Sequence, residues 1–149
     1  MVWSKSSARG DNTQAAFRAV LDSNIYVSAY LSGGFPDTVY QLGLRRRYRL
    51  VISPQIVLEI RNVLREKFGW TESIITERIR QMVKKADIVR PKRRITMMPH
   101  EGDNRLLECA VEGKANFIVT GDRELLRLKQ FEGVPIVRAI DFLRILGES

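Results

Sequence analysis

The feature that most constrains the fold is a series of short apolar runs that alternate with amphipathic helical patterns. The runs cover residues 19–21, 50–52, 88–89, 117–120 and 134–137. Runs of this length without polar alternation are typical of strands that are buried on both faces. Between them, apolar residues recur at three- and four-residue spacing, as at Ile56, Ile60 and Leu64 in a helix predicted over 54–68. The alternation predicts an α/β protein whose parallel sheet is covered by helices on both sides.

The sequence indicates one domain that follows a polar tail. Residues 1–17 show no periodicity and are interpreted as a disordered or tag-like tail, and residues 18–149 as a single domain. A domain of that size can bury a core without disulfides, and the single cysteine, Cys109, excludes an internal one. Because no apolar run suits a signal peptide or a membrane span, we expect a cytoplasmic protein that is not bound to a membrane.

Four acidic residues are expected at one edge of the sheet. Asp22 directly follows the first strand, and Asp122 follows the fourth strand after one glycine. Asp103 opens the helix before that fourth strand, and Glu59 lies in the second turn of the helix after the second strand. Right-handed crossovers bring the carboxyl ends of parallel strands to one edge, where the following helices begin. The four carboxylates are therefore predicted to meet, provided that the first and fourth strands are neighbours.

A divalent cation would explain why these acids share an edge. Two unit charges of the same sign about 4 Å apart repel by about 4 kcal/mol at an effective dielectric constant of about 20. Mg²⁺ or Mn²⁺ prefers oxygen ligands, and such an ion can activate water for attack on a phosphodiester bond. Each acid also has a purely structural interpretation. Asp103 and Asp122 suit helix N-caps, Asp22 suits the turn that follows it, and Glu59 suits a solvated helix face.

Three further polar residues fall at the same edge. Asn24 suits a cap of the first helix, which we favour slightly, or a group that holds water or a ligand to Asp22. The hydroxyls of Ser23 and Thr120 suit caps and turns at least as well as a supporting role in catalysis. His100, the single histidine, lies in an unpatterned loop and is interpreted as a surface residue and not as the base of a Ser-His-Asp triad.

The charge balance favours a polyanionic partner. The chain has 25 Lys and Arg against 17 Asp and Glu, a formal net charge of +8. Such an excess attracts nucleic acid, although a solvated surface that serves solubility is the alternative. Arg45, Arg46 and Arg47 form one cluster, and Arg93 and Arg94 belong to a second, so we interpret these five as nucleic-acid-binding residues.

Taken together and in order, four segments resemble the PIN-domain family, and in particular its VapC-like toxins. They are Val20-Leu21-Asp22-Ser23-Asn24, residues 53–64 with Glu59, residues 102–108 with Asp103, and residues 117–126 with Val-Thr-Gly-Asp. The resemblance covers nearly everything after the tail. It implies a three-layer Rossmann-like fold with a parallel five-stranded sheet of order 3-2-1-4-5, in which strands one and four are neighbours.

The resemblance also implies an endoribonuclease that depends on Mg²⁺ or Mn²⁺. Asp22, Glu59, Asp103 and Asp122 would be its metal ligands and catalytic residues, RNA its substrate, and an antitoxin protein and a second copy its partners. The chain departs from the family pattern at Ser23, where threonine is common, and at Glu101, where the acid before Asp103 is displaced. The alternative is an inactive PIN-like module that binds RNA or protein. A phospho-acceptor receiver domain is disfavoured because Ile88-Val89-Arg90 lacks the acceptor acid.

Overall fold

The computed structural model describes residues 17–147, so that residues 1–16 of the predicted tail lie outside the described part of the chain. The strands are β1 (Arg18–Leu21), β2 (Arg49–Ile52), β3 (Ala86–Ile88), β4 (Phe117–Val119), β5 (Gln130–Phe131) and β6 (Val134–Val137). The helices are α1 (Ser23–Leu31), α2 (Gly34–Leu44), α3 (Pro54–Glu66), α4 (Glu72–Val83), α5 (Glu101–Glu112), α6 (Arg123–Leu128) and α7 (Ala139–Ile145). One or two helices follow each strand, as predicted, except that β5 is followed directly by β6.

The sheet has the order β3-β2-β1-β4-β6-β5. Its first five members are parallel neighbours, which confirms the predicted 3-2-1-4-5 core and places β1 beside β4. The expected order 3-2-1-4-5 places the fifth strand, Val134–Val137, at an edge of the sheet, and this expectation was wrong. Gln130–Phe131 pairs antiparallel outside it, with Gln130 opposite Pro135. A two-residue strand carries no periodicity, so the sequence gives no signal for it.

Burial shows that both faces of the sheet are covered. Ala19, Val20 and Leu21 are consecutive in β1, and all three are 0% exposed. Because successive side chains of a strand point to opposite faces, neither face of β1 meets solvent. The predicted stripe of α3 is also present, with Ile56 and Ile60 buried against the core.

The two edges of the sheet are held differently. Where the strands begin, Arg18 and Arg49 both bind the carboxylate of Asp87 and so join β1, β2 and β3. Where they end, the backbone N–H of Asp22 donates to the carbonyl of Val119 at 2.9 Å, which joins the ends of β1 and β4. This second hydrogen bond places Asp22 at the centre of the edge where ligands bind in α/β proteins. None of the helices between residues 17 and 147 has the length and apolar character to cross a membrane.

Candidate active site

A pocket of about 340 Å³ opens at the edge where β1 and β4 end. Its walls come from α1, α3, the start of α5 and the turn after β4. The pocket is lined by all four predicted acids, Asp22, Glu59, Asp103 and Asp122. The fold therefore brings together four carboxylates that are far apart in the sequence.

Asp22 is buried and held by a chain of hydrogen bonds. The backbone N–H of Asp122 donates to Oγ1 of Thr120 at 3.0 Å, and this hydroxyl donates to Oδ2 of Asp22 at 2.7 Å. The side chain of Asn24 donates to the same oxygen at 3.2 Å. Burial raises the pKa of Asp22 from 3.8 to about 6, against the opposing effect of the Thr120 hydrogen bond, and the charge of Glu59 raises it further. The hydrogen bonds therefore orient the Asp22 carboxylate, but they do not offset the cost of burying its negative charge.

The carboxyl of Asp103 lies next to that of Asp122 in the pocket, within reach of a side-chain hydrogen bond. The pKa of Asp103 is raised from 3.8 to about 6, first by burial and then by the charges of Asp122 and Asp22, while His100 opposes the shift. Its Oδ2 atom is buried and accepts no hydrogen bond from the described residues. A buried carboxylate oxygen without a donor is costly unless it is protonated or meets a cation.

Helix capping distinguishes the two acids. Asp122 caps α6, because its Oδ1 accepts the backbone N–H of Glu124 at 2.9 Å, as the structural interpretation predicted. The N-cap interpretation of Asp103 was wrong. Helix α5 begins at Glu101, two residues earlier than predicted, and its N-cap position is His100. Asp103 therefore lies within the first helical turn, where its side chain is free to point into the pocket.

Glu59 packs against the start of α5. A Cβ atom built on Gly102 would lie only 2.8 Å from Oε2 and 3.1 Å from Oε1 of Glu59. Glycine at position 102 therefore leaves the space that the carboxylate occupies. The amino-terminal end of α5 also carries the positive end of the helix dipole, which favours a carboxylate there.

The three supporting residues have different roles. Thr120 links two of the acids, as described above. The favoured interpretation of Asn24 as a helix cap was wrong, because Asp22 occupies the N-cap position of α1 and Asn24 bonds to its carboxylate. Ser23 is buried and lines the pocket.

Two potentially cationic residues, which the sequence did not single out as site residues, line the same pocket. Lys67 lies eight residues after Glu59, and Val63 lies between them and also lines the pocket. This four-residue spacing along one helix face was the available signal. His100 is exposed, as expected of a surface residue, yet it lines the acid pocket.

The structure does not bring the two arginine clusters to this pocket. Arg45, Arg46 and Arg47 are exposed and directly precede β2, so they lie at the edge where the strands begin. Arg93 is joined to Glu132 by two hydrogen bonds of 2.7 and 2.5 Å, and Glu132 precedes β6, at the same far edge. Strands of four residues separate the two edges by about 13 Å.

The donor set fits a hard divalent cation. Within residues 17–147 no three His, Cys, Asp or Glu side chains form a ready-made set of metal ligands. Mg²⁺ does not need one, because it keeps several waters and binds through one or two carboxylates. Asp103 has a carboxylate oxygen without a hydrogen-bond donor, and Asp22 has a raised pKa. A bound cation would stabilise the negative charge of both carboxylates.

The comparisons with known proteins agree with this fold. The solved structures include a similar one, the crystal structure of PAE2754 from Pyrobaculum aerophilum, with a TM-score of 0.59 at 17% sequence identity over 89% of this chain and 90% of that one. At this identity the similarity supports the fold alone. No curated protein matches the sequence significantly. Residues 18–124 match the family model described as PIN domain, which is more than two thirds of the chain. The chain therefore belongs to the PIN-domain family, whose members share a nuclease-type fold and are generally nucleases, a class of hydrolases.

Proposed function

We propose that this protein is an endoribonuclease that uses Mg²⁺ or Mn²⁺ to hydrolyse phosphodiester bonds in RNA. The observation that carries the proposal is the convergence of Asp22, Glu59, Asp103 and Asp122 on one pocket in a chain of net charge +8. A set of acids that only stabilised the fold would be expected to pair with the abundant cations. Here two of them have raised pKa values instead.

The four carboxylates would hold the cation. A bound Mg²⁺ or Mn²⁺ would supply an activated water and would stabilise the negative charge that develops on the phosphate. Thr120 and Asn24 fix the orientation of Asp22 through hydrogen bonds to its Oδ2. Asp103 offers an oxygen without another partner, and Glu59 is placed by its close packing on Gly102.

Lys67 would bind RNA close to the site of cleavage. It is exposed and lines the acid pocket, where its ammonium group can contact the phosphate backbone. Arg45, Arg46, Arg47 and Arg94 would bind phosphates farther along the strand. Arg93 could join them only if it exchanged Glu132 for a phosphate.

The biological setting is proposed from the family alone. We propose that the protein is the toxin of a toxin–antitoxin pair and acts in the cytoplasm. Its partners would be RNA, a cognate antitoxin protein and a second copy of the chain in a homodimer.

Cleavage of RNA by matched variants tests the enzymatic proposal. Asp22→Asn keeps the shape of the side chain but removes its charge, and it should abolish Mn²⁺-dependent cleavage of single-stranded RNA. Asp37→Asn is the control, because Asp37 lies on α2 and does not line the pocket. Salt-sensitive RNA binding without any Mn²⁺-dependent cleavage by the wild type would favour the alternative, a binding module without activity. Equal cleavage by highly purified Asp22→Asn would refute the assignment of the site.

A further inference from the structure

A second pocket, of about 420 Å³, adjoins the acid pocket. The two pockets share Asn24 and Ser28 as lining residues. Their chemistry differs, because the second pocket has a largely apolar wall formed by Ile25, Phe35, Pro36, Leu126 and Ile140. The edge of the sheet thus presents a carboxylate-lined cavity and an apolar cavity side by side.

Phe35 gives the second pocket an exposed aromatic ring. It is 52% exposed, whereas Tyr26 and Tyr40 on the same helix pair are 0% and 1% exposed. Within residues 17–147, no aromatic ring is in contact with Phe35. Gly33 and Gly34 lead into α2 with φ values of +79° and +68°, a backbone conformation that favours glycine. This turn sets Phe35 beside α1 at the opening of the pocket.

The arginine of this pocket is already engaged. Arg138 lines the pocket, but its guanidinium group donates to Asp141 at 2.9 Å. The cavity therefore offers apolar surface and a ring face more than free positive charge. Such a surface suits a flat, uncharged group that has a polar edge.

We propose that the second pocket binds a nucleobase of single-stranded RNA, with Phe35 stacked on the base. This assignment rests on the proposed nuclease function, since the base belongs to a nucleotide next to the phosphate held at the acid pocket. Single-stranded nucleic acid alternates phosphates with bases, and proteins that bind it combine contacts to the backbone with aromatic stacking platforms. Adjoining acidic and apolar cavities match that alternation, because a cation in the first would face a phosphate while the second receives the neighbouring base.

Substitutions of Phe35 test the base pocket. Phe35→Ala should weaken the binding of a 12-nucleotide single-stranded RNA by about 5- to 150-fold, the effect of losing one stacked base. Phe35→Trp should bind within a few-fold of the wild type, because indole also stacks. Phe68→Ala is the matched control, since Phe68 is 49% exposed and lines neither pocket. Binding is measured by fluorescence anisotropy with Mn²⁺ present and with a phosphorothioate RNA, whose linkages resist hydrolysis, so that the readout does not depend on cleavage.

A second measurement reads the contact directly. The fluorescence that Phe35→Trp adds to that of the wild type, which already contains Trp3 and Trp70, should be quenched by the RNA, and an abasic oligomer of the same length should quench it much less. Equal RNA binding by Phe35→Ala and Phe68→Ala would overturn the base pocket, as would equal quenching by the abasic oligomer. A loss in Phe35→Ala of binding to a partner protein, with RNA binding unchanged, would also overturn it.

Phe35-dependent RNA binding by a protein that cleaves no RNA would support the base pocket and refute the nuclease. Mn²⁺-dependent cleavage that is unchanged in Phe35→Ala with RNA below saturation would support the nuclease and refute the base pocket.

Discussion

Removing the charge of Asp22 should stabilise the metal-free protein. Burial raises the pKa of this carboxyl from 3.8 to about 6, so the folded state binds its proton more tightly than the unfolded state does. Stability therefore falls as pH rises from about 4 to about 6. With about 1.36 kcal/mol for each pKa unit, the buried carboxylate costs at most about 3 kcal/mol above pH 6. Asp22→Asn removes this cost, and its amide oxygen can still accept the hydrogen bonds from Thr120 and Asn24.

The assay is thermal unfolding followed by circular dichroism. In EDTA at pH 7.5, Asp22→Asn should raise the midpoint by up to about 10 °C, at about 3 °C for each kcal/mol in a domain of this size. The gain should shrink as the pH falls from 6 towards 4 and should vanish near pH 3, where the wild-type carboxyl is protonated in both the folded and the unfolded state. Added Mn²⁺ should stabilise the wild type and leave Asp22→Asn nearly unchanged. An Asp22→Asn variant that is less stable than the wild type in EDTA at pH 7.5 would refute the electrostatic reasoning.

Two further substitutions probe the position of the carboxylates. Gly102→Ala places a methyl group within 2.8 Å of the Glu59 carboxylate and should push this carboxylate aside. RNA cleavage should therefore fall, while the unfolding midpoint should stay within about 2 °C of the wild type. Unaltered cleavage would show that this placement of Glu59 is not needed. Thr120→Val removes a hydrogen bond that lowers the pKa of Asp22. Protons should then compete better with the cation, so apparent Mn²⁺ affinity, measured by calorimetry, should fall more steeply below pH 7 than in the wild type. Thr120→Ser should restore the wild-type profile, and parallel profiles for all three proteins would contradict this role.

The sequence predicted the features that depend on strand ends and chain order. Asp22 and Asp122 lie where apolar runs stop, and the position of a strand end in a parallel sheet determines the edge at which the next residue lies. The parallel core and its covered faces followed from the length and uniformity of those same runs. The neighbour relation between β1 and β4 came from the resemblance to the PIN-domain family, because periodicity alone does not order strands.

The features that could not be predicted from the sequence depend on where helices begin and on which side chains lie close to the pocket. The acidic start of α5 looked like a cap at Asp103, and only the backbone shows that the helix begins at Glu101. Runs of arginine predict a surface charge but not the edge on which it lies, so the position of Arg45 far from the pocket could not be read from composition. The involvement of Lys67 depends on how α3 passes the pocket.

The central claim is that a divalent cation binds among these four carboxylates. Diffraction from crystals of the wild-type protein soaked in Mn²⁺, recorded at the manganese absorption edge, tests it directly. We predict anomalous density in the pocket between Asp22, Glu59, Asp103 and Asp122, and its loss in crystals of Asp22→Asn. A pocket without anomalous density in wild-type crystals soaked at millimolar Mn²⁺, or density only at other sites, would contradict the claim.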